Sequence, residues 1–241
     1  MKTVLITGGT KGIGKAIALE FLQQGYEVIL NYCHDEDSAI STQDEFNMLG
    51  YCPVLIRADV SDEWQVKEMF REVYRIYGKI DVLVNNAGIS LVRVIQDTSL
   101  DDWERVMGVN LRGVFLCCRE VTPSMVCNGG GSIINVSSIW GEVGASCETV
   151  YSASKGAVIA FTKALAKELA PSFVRVNCVS PGVIDTQMNS HLSEGEMQEL
   201  ISQIPLGRLG TGEDVAKACL YLAENGYVTG EVLSVGGGFA K

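Results

Sequence analysis

Short apolar, β-branched runs alternate along the chain with longer stretches of amphipathic character. The first four runs are TVLIT at 3–7, EVILNY at 27–32, VLIRADV at 54–60 and DVLVNNAG at 81–88. Strands that alternate with helix-length segments predict successive βα units, and hence a parallel sheet covered by helices on both faces. Glycines at 25, 50 and 78 stand where the intervening helices should end, and Ser61 followed by Asp62 and Glu63 reads as an N-cap with acids in the first turn. Further on, the pattern predicts a helix at about 101–126, a glycine loop at 128–131, a strand at 132–138 and a helix that holds Tyr151. A strand at 174–182, an irregular polar segment at 183–210, a helix at 212–224 and a strand at 231–235 complete the chain. Neither a repeat nor a low-complexity linker interrupts it, so a single domain over 1–241 is expected.

Composition narrows the function classes. With 47% apolar residues, 20% charged residues and 26 glycines, the chain has the balance of a globular protein with a sizeable core. A formal net charge of -10 offers no electrostatic reason to approach nucleic acid or anionic lipid, and neither is an expected partner. No apolar stretch reaches the roughly 20 residues that span a bilayer, and no signal peptide precedes the first apolar run. The eight cysteines form no C-x-x-C pair and read as reduced thiols used mostly in packing, as in a cytoplasmic protein. Two histidines, His34 and His191, without paired cysteines, supply no zinc ligand set.

Two stretches carry candidate chemistry. TGGTKGIG at 7–14 follows the first strand and opens a helix, where glycines allow close backbone approach and a helix N-terminus favours a diphosphate. Its spacing, Gly8, Gly12 and Gly14, is G-x-x-x-G-x-G. In ETVYSASKGA, at 148–157, Tyr151 and Lys155 lie one helical turn apart on one face. A free phenol of pKa about 10 releases its proton reluctantly, and a neighbouring ammonium favours the phenolate. Ser138 stands thirteen residues before Tyr151 at the end of a strand, and reads either as a turn serine or as a donor to a developing oxyanion.

Together with Asp59 in ADV, NNAG at 85–88, Asn110 in GVNLRG and Pro181-Gly182, these stretches resemble the short-chain dehydrogenase/reductase family from end to end. The resemblance implies a Rossmann-type doubly wound α/β fold with a seven-stranded parallel sheet, and 183–210 as a substrate lid. It implies hydride transfer to a ketone, with Tyr151 donating the proton and Ser138 holding the oxygen. Lys155 would lower the Tyr151 pKa and hold the ribose, and Asn110 would anchor a water relay. The cofactor contacts implied are Gly8, Thr10, Lys11, Gly12, Ile13, Gly14, Asn31, Asp59, Val60, Asn86, Ala87, Gly88, Pro181, Gly182, Val183, Ile184 and Thr186, beside Tyr151 and Lys155. Within that set Asp59 binds the adenine amine, Asn86 to Gly88 wall the ribose and Thr186 meets the nicotinamide carboxamide or the diphosphate; Asp59 also reads as a cap for the turn before Ser61. Strand two ends in Asn31-Tyr32 with no carboxylate, and Lys11 adds a positive charge, so NADP is favoured over NAD, with Asp35, Glu36 and Asp37 close by.

The substrate stays open among several ketones. The chain is similar to bacterial 3-oxoacyl-carrier-protein reductases, including IPLGRLG at 204–210, yet it lacks the basic residues that would steer an acidic carrier. SSIWGEVGASCE at 137–148 resembles the aminopentanone reductases that modify elongation factor P, so a ketone on a protein side chain is a second reading, in which Cys147 and Glu148 line the substrate or merely form a loop. A small ketone such as a hydroxysteroid is a third. A non-catalytic NADP-sensing module is the rival from another class, and it would be expected to lose the tyrosine or the lysine. The helices near 103–126 and 151–169 carry apolar residues on more than one face, which in this family builds a homotetramer.

Overall fold

A computed structural model of the chain describes residues 1–186 and 194–239. Met188, His191 and Leu192, part of the amphipathic stretch at 187–203, lie outside the described residues. The strands are β1 (Thr3–Ile6), β2 (Glu27–Tyr32), β3 (Val54–Arg57), β4 (Val82–Asn85), β5 (Gly131–Val136), β6 (Val174–Pro181) and β7 (Val232–Val235). They form one seven-stranded sheet in the order β3-β2-β1-β4-β5-β6-β7, with every pairing parallel. The helices are α1 (Gly12–Gln23), α2 (Glu36–Met48), α3 (Glu63–Tyr77), α4 (Leu100–Met107), α5 (Gly113–Cys127), α6 (Trp140–Val143), α7 (Thr149–Leu169), α8 (Glu194–Ser202) and α9 (Gly212–Glu224). This is the parallel sheet covered by helices that the alternation predicts, in the doubly wound, Rossmann-type form that the resemblance implies.

Period-two alternation of the strands sorts their side chains between two cores. Val4, Ile6, Val28, Leu30, Val82 and Val84 pack on α1, α2 and α9 through Ile17, Phe21, Phe46, Val215 and Leu222. Leu5, Ile29, Leu83 and Ile133 point the other way, onto Met69, Phe70, Val114, Val121 and Val158 of α3, α5 and α7. Val4 to Ile6 are wholly buried, as a central parallel strand covered on both faces must be. Of the cysteines, 117, 118, 178 and 219 lie in these cores, 33 and 147 are half-buried, and 52 and 127 are exposed; all eight are free thiols. Among the described residues no helix is long and apolar enough to cross a membrane.

The structure shortens several expected elements for identifiable reasons. β3 ends at Arg57 because its only partner, β2, ends at Tyr32, and the Asp59 N–H then goes to the Gln65 side chain at 3.0 Å. β4 ends at Asn85 because the next two N–H groups, of Asn86 and Ala87, donate to the Thr7 hydroxyl at 3.0 and 3.1 Å instead of to a ladder. The expected helix at 101–126 is continuous but not uniform: α4 passes into α5 through a π turn at Gly108–Arg112. The irregular segment contains α8, and Ile184 bridges to Gly210 beyond it.

One cap is also reassigned. Asp62, not Ser61, caps α3, accepting from the N–H groups of Trp64 and Gln65 at 2.8 and 3.0 Å. Ser61 instead donates its N–H and its hydroxyl to Asp59 at 2.8 and 2.7 Å. Asp62→Ala should therefore cost about 1 kcal/mol of stability in urea unfolding, and Ser61→Gly, which leaves the Asp62 cap intact, should cost less; the reverse order would return the cap to Ser61.

Candidate active site

Strand order reverses between β1 and β4, so the connections leaving their C-terminal ends part to opposite faces and leave a crevice. The crevice is held together at its root by Asn86, whose side-chain amide donates to the carbonyls of Thr7 and Gly8, each at 3.0 Å. Gly14 must pass over this junction: a Cβ there would lie 2.1 Å from the Gly8 oxygen and 2.6 Å from Asn86 Nδ2. Only glycine fits that approach.

The helix entering at this point differs from its neighbours. α2, α3, α4 and α9 have side-chain caps from Asp35, Asp62, Ser99 and Thr211, each with acids in the first turn. α1 has neither, and its N-cap is Lys11. The first-turn N–H groups of an uncapped helix face outward with the positive end of its dipole, which fits a diphosphate. Lys11 pairs with Asp35, and the Lys11 ammonium holds the Asp35 carboxyl down at about 2, with help from the Ser38 N–H.

A cavity of about 820 Å³ runs from this loop to the ends of β5 and β6. Of the residues singled out in the sequence, Gly8, Lys11, Gly12, Ile13, Gly14, Asn86, Ala87, Gly88, Ser138, Tyr151, Lys155, Pro181, Gly182, Val183, Ile184 and Thr186 line it. Five others do not, and each is occupied elsewhere. The Asn31 amide is buried, accepting from the Gly8 N–H at 3.4 Å and donating to the Ala58 carbonyl at 2.9 Å, so it joins loop and strands and does not face the cavity. The Thr10 carbonyl receives the Thr42 hydroxyl of α2 at 2.8 Å. Asp59 holds Ser61, and Val60 packs so closely under α5 that a Cβ on Gly113 would come within 2.9 Å of it.

Asn110 is the fifth. The π turn carries it wholly buried, where its side chain accepts from the Ile89 N–H at 2.8 Å and donates to the Ile89 carbonyl at 2.9 Å and the Ser154 hydroxyl at 3.0 Å. It thus ties the loop after β4 to α7. Gly88 makes room beside it, since a Cβ there would lie 3.2 Å from Lys155 Nζ and 3.4 Å from Asn110 Oδ1.

Ser138, Tyr151 and Lys155 come together at the far side of the cavity. Ser138 sits near enough to the Tyr151 phenol to pull its pKa down, and its oxygen accepts from the Trp140 N–H at 3.2 Å. Ser137 is committed differently: its hydroxyl donates to the Lys155 carbonyl at 2.8 Å. Lys155 Nζ donates to the Val136 carbonyl at 2.9 Å and lies 5.8 Å from the centre of the Tyr151 ring. Burial pushes the phenol up to about 12, against a lowering pull from Ser138 and with a further push from Glu148, while burial brings the Lys155 ammonium down to about 8. The expectation that the ammonium draws the phenol downward is not met here, because desolvation is the larger effect.

The cavity has walls that the sequence did not single out, Ile89, Ser90, Val92 and Arg105, together with Ile139 and Trp140 from the stretch at 137–148 and Leu200 from the segment expected as a lid. Glu148 lines it too, while Cys147 does not. These residues come from separate loops and helices, and no local spacing marks them. In protein without bound nucleotide, the phenolate absorbance lost on Tyr151→Phe should rise near pH 12 and not near pH 10; a difference titration centred below pH 10 would show that the ammonium, not burial, governs the phenol.

Comparison with known proteins places these features in a wider set. A family model described as enoyl-(acyl carrier protein) reductase matches residues 8–240. The 3-oxoacyl-[acyl-carrier-protein] reductase FabG of Staphylococcus aureus strain Mu50 is 39% identical over 239 residues, covering 98% of this chain and 97% of its own. The enzyme of the same name from Thermotoga maritima is 43% identical over 239 residues, with 98% and 97% covered. A solved structure of a putative gluconate dehydrogenase from Agrobacterium tumefaciens superposes with a TM-score of 0.96 at 28% identity, covering 100% of this chain and 96% of that one.

Proposed function

The chain belongs to the short-chain dehydrogenase/reductase family of NAD(P)-dependent oxidoreductases acting on CH-OH groups, and from that premise we propose that it reduces a 3-oxoacyl-type ketone to a secondary alcohol with NADPH. The observation that carries this reading is the convergence of Ser138, Tyr151 and Lys155 on the cleft into which the uncapped N-terminus of α1 opens. The nicotinamide, when bound, supplies the hydride. Ser138 orients the carbonyl oxygen, and Tyr151, kept protonated by burial, delivers a proton to it as negative charge develops. Lys155 holds the ribose, and Asn110 keeps the loop after β4 and α7 in register for a solvent-linked proton relay.

The first turn of α1 and Asn86 to Gly88 hold the diphosphate and the ribose, and Pro181 to Ile184 with Thr186 hold the nicotinamide end. The absence of a carboxylate from the end of β2 and the Lys11 ammonium support NADPH over NADH. Asp35 competes for that ammonium. Glu148 in the wall beside Tyr151 supports a second reading, a ketone carrying a basic group such as a modified protein side chain. The half-exposed Phe115 on α5 fits burial in a homotetramer, and free thiols fit the cytoplasm.

Tyr151→Phe should lower kcat for acetoacetyl thioester reduction by about 10² or more while NADPH affinity is unchanged; a variant that keeps near-parental turnover would remove Tyr151 from the chemistry. Lys11→Ala should weaken NADPH binding roughly tenfold, as expected for loss of one charge-assisted contact, and leave NADH binding nearly unchanged. Equal effects on the two cofactors in fluorescence titrations would leave no basis for NADPH preference at this site.

A further inference from the structure

Gly236 to Phe239, which follow β7, have no part in the mechanism above, yet they are tightly built. The chain turns back through three glycines to Phe239, whose N–H closes on the Gly236 carbonyl at 3.0 Å. Gly237 and Gly238 lie at φ 62° and 89°, a region that side chains resist. A Cβ on Gly237 would come within 2.8 Å of Ile204, and one on Gly238 within 3.0 Å of Pro205. The Leu206 N–H donates to the Gly237 carbonyl at 3.1 Å, so the tail is bonded to the segment that follows α8.

This turn delivers Phe239 edge-on to Trp140, with ring centroids 5.6 Å apart and planes at 70°. Edge-to-face contact is the favoured geometry for such a pair, and it restricts both rings. Trp140 lies two residues past Ser138 and lines the cleft with Ile139, Val92 and Leu200, an apolar wall beside the polar centre. A second tie fixes the same corner, since the Ser234 hydroxyl of β7 donates to Glu142 of α6 at 2.9 Å. The tail therefore touches both sides of the apolar end: Trp140 directly, and the run-out of α8, which carries Leu200, through Ile204 and Pro205.

We propose that Gly236–Phe239 is a positioning strap that fixes Trp140 as the wall that sets which alkyl chain length the cleft prefers. The proposal rests on the ketone-reductase reading for the identity of the ligand, whose carbonyl sits at Ser138 and Tyr151 and whose chain lies along Trp140. Trp140 is the specificity-determining residue; Phe239 acts through it. A short ketone gains little from the wall, whereas a long one buries methylenes against it, each worth roughly fourfold in affinity.

The test compares N-acetylcysteamine thioesters of four-carbon and ten-carbon 3-oxo acids, titrated calorimetrically in the presence of oxidised NADP so that no turnover occurs. Phe239→Ala should weaken the ten-carbon ligand roughly tenfold and leave the four-carbon ligand unchanged, and Phe239→Tyr should restore the preference. Trp140→Ala should abolish the same discrimination, and adding Phe239→Ala to it should change nothing more. Equal loss for both ligands, no loss, or additive effects in the double variant would overturn the strap. Melting temperatures are recorded throughout, and Trp140→Phe supplies the comparison if Phe239→Ala does not fold. Turnover of the unaltered protein with NADPH is measured separately. A protein that binds the ten-carbon ketone more tightly, in a Phe239-dependent way, but reduces neither overturns the functional reading and leaves the strap standing. One that reduces both with no Phe239 dependence overturns the strap alone, and one that binds neither overturns both.

Discussion

Everything that distinguishes the cleft depends on how the chain stitches together the segments that leave the C-terminal ends of β1 and β4. Parallel strands whose connections depart to opposite faces leave carbonyls and N–H groups without a ladder, in a place that is largely buried. The chain satisfies them with two side chains: the Thr7 hydroxyl takes the N–H groups of Asn86 and Ala87, and the Asn86 amide takes the carbonyls of Thr7 and Gly8. That reciprocal stitch fixes the glycine loop against the next strand. It also leaves no room above it, which dictates Gly14 and sets the height at which α1 enters.

At the opposite side, burial acts on two groups at once and drives both toward neutrality. The Lys155 ammonium falls to about 8 and the Tyr151 phenol rises to about 12, so the low-dielectric setting keeps the phenol proton in place. Glu148 works in the same direction on the phenol. A hydroxyl that retains its proton until a negative oxygen forms beside it suits the proposed direction, carbonyl to alcohol. The carbonyl of Val136 stabilises the ammonium in this wall, and Ser137 secures the same turn of α7 through the Lys155 carbonyl. The two adjacent serines thus divide the work, one on the backbone and one on the phenol.

The sheet was legible from the alternation of runs because the central strands are buried on both faces and each connection is helix-length. Boundaries were less so, for a physical reason seen at Asp59 and at Asn86: the last residues of a β-like run hand their hydrogen bonds to side chains, Gln65 nearby and Thr7 far away in the sequence, instead of to a neighbouring strand. The same effect is seen at Asn31 at the end of β2, whose amide bonds to Gly8 and Ala58 and joins the glycine loop to the strands, a tie that no local spacing shows. Tyr151, Lys155 and the glycine loop were visible because their chemistry is packed into short spacings. Val92 and Arg105 were not, since they join the rim only after the sheet brings separate segments together, where they meet Trp140 and Leu200 from the two stretches that the resemblance had already linked to substrate.

The π turn at Gly108–Arg112 has a consequence for how the chain tolerates change in length. One residue more than an α-helical turn needs is inserted there, which rotates everything after it by about 100° relative to a regular helix. The apolar face of α5 meets α3 and the sheet only because of that offset. Loss of a single residue in this turn would not just shorten a rod. It would wheel Cys117, Val121 and Met125 away from their neighbours and bring polar positions into their place, while Asn110 left the loop it anchors. The rod from α4 to α5 therefore behaves as a vernier, in which one extra division keeps two scales aligned, and insertions or deletions belong in the loops on either side of it.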